Sequence, residues 1–181
     1  MEAKFKVVSG DGVQGLLKTE TNIMLLAHYL RAKIHPHLMR LGLGLGGLTT
    51  QLCEDVSLMD GKCFQFAGEA LERGKNYDRW VYFTGDKEDF NRIINSSFLF
   101  QQLYYDQFNK QQSLLVRNYM VEFIENGNEN LSRISALLNI PLPNVSRNLK
   151  LIQWEEVFNT ILTYPTIYNI SNSYHNFDNN N

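Results

Sequence analysis

The chain has 181 residues, 44% hydrophobic and 20% charged, which is enough apolar material for one sizeable core, or one core with a small appended module. Its formal net charge of -2 excludes a global basic field, so any contact with nucleic acid must come from a local cluster. Cys53 and Cys63 are the only cysteines, no Cys/His group has zinc spacing, no leader-like segment opens the chain, and no apolar run reaches the roughly 20 residues of a membrane span; the expectation is a cytoplasmic protein with reduced thiols and no membrane contact.

Lys4-Phe5-Lys6-Val7-Val8 alternates and is rich in β-formers, Ser9-Gly10-Asp11-Gly12 supplies turn chemistry, and Val13–Leu17 completes a predicted β-hairpin. Ile23, Leu26, Ala27, Leu30 and Ile34 then recur at helical spacing, with Thr19 or Thr21 as the cap and His35-Pro36 as the stop. In the next segment Leu41, Leu43 and Leu45 alternate with Gly42, Gly44 and Gly46. This predicts a strand with one apolar face and one face without side chains, which something must approach closely. Asp60 can cap a helix whose stripe is Cys63, Phe66, Ala67, Ala70 and Leu71 and which ends at Gly74. Arg79–Phe83 reads as a short strand, and Asp86 with Asp89 opens a long helix carrying Phe90, Ile93, Ile94 and Phe98, after which every pattern is helical. The fold class is therefore α+β. The expected division is an α+β domain over 1–108, a helical part over 109–166 and a polar, Asn-rich disordered tail over 167–181.

Leu131–Lys150 carries the clearest functional pattern. Ile134 and Leu138 share one helix face, Asn139-Ile140-Pro141 forms a turn, and Val145 and Leu149 share one face of a second helix, as in a helix-turn-helix. Leu-Ser-Arg-Ile-Ser-Ala-Leu-Leu-Asn-Ile, followed by Val-Ser-Arg-Asn-Leu-Lys, resembles the DNA-reading element of many bacterial regulators, with Ser135 and Asn139 where Ala and Gly are usual. If the second helix enters a groove, Asn144, Ser146, Arg147, Asn148 and Lys150 are the side chains for base edges and phosphates, and Arg133 can reach the backbone. Glu125, Glu129, Glu155 and Glu156 stand nearby in sequence and oppose these cations. DNA and a second copy of the chain are the partners considered. The same element can instead serve as a compact packing unit.

Elsewhere, Gly42, Gly44 and Gly47 match GxGxxG formally, but a phosphate loop needs a helix start directly after them, and a close-packed strand is the favoured reading. His35 and His37 read as loop residues and Cys63 as a core residue.

Gly10-Asp11 with Gln14-Gly15-Leu16-Leu17, then Arg40–Gly44, then Asp60-Gly61-Lys62-Cys63-Phe64-Gln65-Phe66-Ala67, together resemble the SatD family of bacterial proteins. More distantly they are similar to the palm of class III nucleotidyl cyclases. The resemblance implies a partial ferredoxin-like or cyclase palm sheet whose first strand is missing ahead of the hairpin, and a link to stress or acid tolerance. It places Asp11 where the cyclases hold Mg²⁺ against a triphosphate, with Gly42 and Gly44 beside it as candidate nucleotide- or ion-binding positions. It assigns no catalytic residue: Gln65 and Glu69 occupy the positions of the cyclase Asn and Arg, and an acidic Glu69 repels phosphate. The implied protein is a non-catalytic regulator or adaptor. A nucleotide-binding domain without turnover and a protein-interaction module are the alternatives.

Overall fold

The computed structural model describes residues 2–164, so the expected tail over 167–181 lies outside the described residues. The element order is β1 (Ala3–Ser9), β2 (Gly12–Leu16), α1 (Ile23–Ile34), β3 (Leu41–Leu45), α2 (Lys62–Asn76), β4 (Val81–Gly85), α3 (Glu88–Tyr105), α4 (Lys110–Asn126), α5 (Leu131–Leu138), α6 (Leu142–Leu151) and α7 (Trp154–Leu162). The protein is α+β, as its sequence pattern predicts. It divides into two compact units, one built from 1–21 with 40–100 and the other from 22–39 with the chain beyond Gln101. Helix α1 therefore stands with the C-terminal helices, packing on α4 and α7.

In the first unit, β1 and β2 pair antiparallel around Gly10-Asp11, with Ser9 opposite Gly12 and Gly10 at φ +52°. That left-handed φ is open to glycine without steric cost. The hairpin packs on a single 3-10 turn at Val56–Leu58, burying Ala3, Val56 and Met59 together. Lys6 spans the same contact: its Nζ lies 2.7 Å from Asp55 Oδ2 and 3.1 Å from Ser57 Oγ. Asp55 also accepts from Ser57, and the two sets of bonds hold its carboxyl down at a pKa of about 2.

Strands β3 and β4 pair in parallel from Leu41 opposite Val81 to Leu45 opposite Gly85, and α2 makes the crossover. The close approach foreseen at the bare strand face is made by α2. A Cβ on Gly42 would stand 2.2 Å from the Ala67 carbonyl oxygen, and one on Gly44 2.1 Å from that of Cys63. The strands make two separate two-stranded sheets, β1–β2 and β3–β4. Each pair has its own cover, the 3-10 turn for the hairpin and α2 for β3–β4.

The outer edge of β4 is closed by side chains. Asn95 on α3 accepts from the Phe83 N–H and donates to the Phe83 carbonyl, both at 2.8 Å, and Asn91 one turn earlier donates to the Gly85 carbonyl at 2.8 Å. An i, i+4 pair on a helix thus matches an i, i+2 pair on a strand and satisfies backbone groups that an edge otherwise leaves open. Phe83 meets Phe90 edge to face at 5.6 Å, and Ile94 and Phe98 are buried beside them.

The second unit is helical. Its N-terminal helix is capped by Asn22 rather than by Thr19 or Thr21: Asn22 accepts from the Leu25 N–H and donates to the Ile161 carbonyl at 2.9 Å, tying α1 to α7. Similarly Gly61, and not Asp60, stands at the cap of α2, and Asp60 spends its carboxylate on the Gly61 N–H. Helix α4 opens with a reciprocal Asn109/Gln112 capping box and ends on Gly127 at φ 75°. Its Tyr119 packs edge to face on Trp154 and Phe158 of α7. No helix among the described residues is long and apolar enough to cross a membrane.

Candidate nucleic-acid interface

Helix α5 begins at Asn130, whose side chain accepts from the Arg133 N–H. It ends at Asn139, which adopts the left-handed conformation at φ 53° and ψ 44°. Asparagine tolerates this conformation better than most residues, which explains its presence where glycine is usual. Ser135, the other unusual position, donates its hydroxyl to the Ile140 carbonyl at 2.6 Å, while the Ile140 N–H donates to the Ser135 carbonyl at 3.1 Å. Both departures from the common pattern therefore build the turn. Pro141 then turns the chain into α6, its carbonyl accepting from the Asn144 and Val145 N–H groups. Pro143 sits in the first turn, where its missing N–H removes no helical bond.

Ile134, Val145 and Leu149 are buried, and α5 and α6 pack on each other and on α4. The paired helices and short bend expected over Leu131–Lys150 are present. On the outward side of α6, Asn144, Ser146, Arg147 and Lys150 are all exposed. Asn148 is half-buried and donates to the Asn144 carbonyl at 2.8 Å, so its amide serves its own helix. Arg133 has a different occupation. Its Nη1 lies 3.4 Å from Oε1 of Glu122, a residue only 8% exposed, and it supplies the counter-charge that a buried carboxylate requires. Glu122 is invisible to sequence reasoning because the pair crosses the α4–α5 turn, which no periodicity reports. Glu125 is also engaged: Lys33 at 2.7 Å and Tyr29 at 3.1 Å hold its carboxyl below the usual range, the Lys33 bond foremost. Leu137 and Leu142 flank the turn as exposed apolar side chains, at 69% and 41%.

The positions implied by the cyclase resemblance stand in the first unit. Asp11 is exposed on the hairpin turn. Among the described residues no group of three or more His, Cys, Asp or Glu side chains is placed to hold a metal ion, at Asp11 or elsewhere. Gly42 and Gly44 are filled by the α2 backbone, leaving no space on their face for a nucleotide. Gly47 leads into a bridge between Leu48 and Gly61 and not into a helix start. Cys63 is buried on α2, and burial pushes its thiol pKa up.

No protein-family model, curated protein or solved structure matches the chain.

Proposed function

We propose that the protein is a non-catalytic regulator or adaptor of the SatD type that contacts DNA through α6. The supporting observation is the division of α6 into two faces. Val145 and Leu149 are buried, while Asn144, Ser146, Arg147 and Lys150 are offered outward from a helix held by a hydrogen-bonded turn. Arg147 presents a planar, permanently charged fork suited to guanine or phosphate, and Asn144 a donor–acceptor amide suited to adenine. With Arg133 committed to Glu122 and Asn148 to its own helix, the contact set reduces to those four side chains.

The test is a titration of duplex DNA at low salt, including fragments from upstream of the gene. Arg147→Ala is expected to weaken binding by about tenfold, the cost of one good charged contact. Failure of the intact chain to bind any duplex overturns the proposal. A second reading, a protein-docking module, draws support from the exposed Leu137 and Leu142 beside the turn. In that case Leu137→Ser abolishes partner capture and Arg147→Ala does not.

A further inference from the structure

Away from the glycine strand and the hairpin turn, the first unit has an open depression of about 280 Å³ between α2, β4 and α3. Three arginines from separate segments line it: Arg73 on α2, Arg79 in the α2–β4 loop and Arg92 on α3. Two are already engaged. Arg73 pairs with Glu69 at 2.6 Å and is bonded by Tyr82, whereas Arg92 pairs with Glu88 at 3.5 Å and Asp89 at 3.9 Å. Arg79 is half-buried, is fixed through its backbone N–H to the Gly74 carbonyl at 2.8 Å, and has no ion pair among the described residues.

Two further features accompany this charge. Tyr77 and Tyr82 stack at 5.9 Å and 22°, and Tyr77 is 61% exposed, so one ring face is available as a platform. Asn91, which also lines the depression and is 6% exposed, uses its amide N–H on Gly85 while its Oδ1 has no partner among the described residues.

We infer that this depression binds a small aromatic phosphomonoester, of which a nucleoside monophosphate is the simplest example. The guanidinium of Arg79 takes the phosphate as a bidentate fork, while Glu69, Glu88 and Asp89 offset the charges of Arg73 and Arg92 and limit the charge that is accepted. The tyrosine face takes the flat ring. The volume is close to the lower end of small-molecule sites and suits a ligand of that size. The depression is built from residues of the first unit and α6 from residues of the second, so failure of this inference leaves the DNA proposal intact.

Calorimetric titration of the full chain with adenosine 5′-monophosphate, inorganic phosphate and adenosine tests the inference. The expected order is the monophosphate tightest, phosphate weaker, and adenosine without measurable binding. Arg79→Ala is expected to weaken the monophosphate by about tenfold, the worth of one charge-assisted contact, with part of the loss restored in Arg79→Lys. Thermal unfolding without ligand checks that both variants fold. No heat with either phosphate-bearing probe at millimolar concentration overturns the inference. So does equal binding of all three compounds, or binding that Arg79→Ala leaves unchanged in a folded variant.

Discussion

His28 illustrates how much one side chain can control. It is 3% exposed on α1, hydrogen-bonded to Gln101 and set edge to face against Tyr105 at 5.2 Å. Arg31 lies over the same tyrosine ring at 4.7 Å. Burial lowers the His28 pKa from 6.5 to about 4, the Gln101 bond working against that shift and the Arg31 charge with it. The unfolded chain therefore takes up this proton before the folded chain does. The neutral ring is without penalty above pH 6.5, and stability is lost as pH falls from there towards about 4. At about 1.4 kcal/mol for each tenfold step in proton affinity, the loss is on the order of 3 kcal/mol. Denaturant midpoints measured between pH 7 and pH 4 check this, with His28→Gln expected to show a shallower decline than the natural chain. Equal slopes would remove His28 as the cause. Asp55 acts at lower pH and in the same direction. Its carboxyl is held near 2, so the Lys6 contact persists until the pH drops below the ordinary carboxylate range.

At the scale of elements, the glycine strand makes the firmest demand. A methyl group on Gly44 meets the Cys63 carbonyl oxygen at 2.1 Å, and that atom belongs to helix backbone and cannot swing aside. Gly44→Ala is expected to destabilise the chain by about 3 kcal/mol, the upper range for overpacking. Gly68→Ala, with nothing within 4 Å of its added carbon, serves as the control. Urea unfolding of both variants measures the difference, and a Gly44→Ala chain as stable as its control would refute the packing account. This demand is legible in the sequence, because a bare face alternating with leucines implies a close neighbour. The turn of the helix-turn-helix is legible for a similar reason: Asn139 and Pro141 restrict the backbone locally. What escapes sequence reading is pairing over distance. Asn91 and Asn95 read as ordinary polar helix positions until β4 lies alongside them. Arg133 reads as a free cation until Glu122 is found beside it, and Asn22 as a loop residue until it joins α1 to α7. Asp11 shows the opposite case, a residue prominent in the sequence pattern beside which no cluster of three or more ligating side chains stands among the described residues.

For the whole molecule, charge and topology set the terms. A chain of net charge -2 does not attract DNA at long range, so on the proposed reading affinity comes from the local charge of α6. With Arg147 and Lys150 as its exposed cations, a plot of log affinity against log salt is expected to have a slope of about -2, each neutralised phosphate contributing about -0.9. Binding isotherms at several salt concentrations measure it. A slope near zero would exclude phosphate contact, and removing Arg147 should bring the slope close to -1. The two units are discontinuous in sequence, with the segment 22–39 leaving the first and returning to it. Hydrophobic periodicity identifies α1 as a helix but says nothing about which core receives it, so an order of elements read along the chain groups it with the strands on either side.

The asparagine pair on α3 has a consequence for how copies of the chain behave in a crowded solution. By imitating a neighbouring strand, the Asn95 amide occupies the rim of β4 where another polypeptide would dock through its main chain. A parallel two-stranded sheet with both rims free invites edge-to-edge recruitment of other molecules; here the Phe83 N–H and carbonyl and the Gly85 carbonyl are already paired from within. Exchange of Asn95 for leucine would keep the bulk of the helix and leave the Phe83 N–H and carbonyl open to another main chain, so light scattering of the variant against the natural chain is expected to report increased self-association.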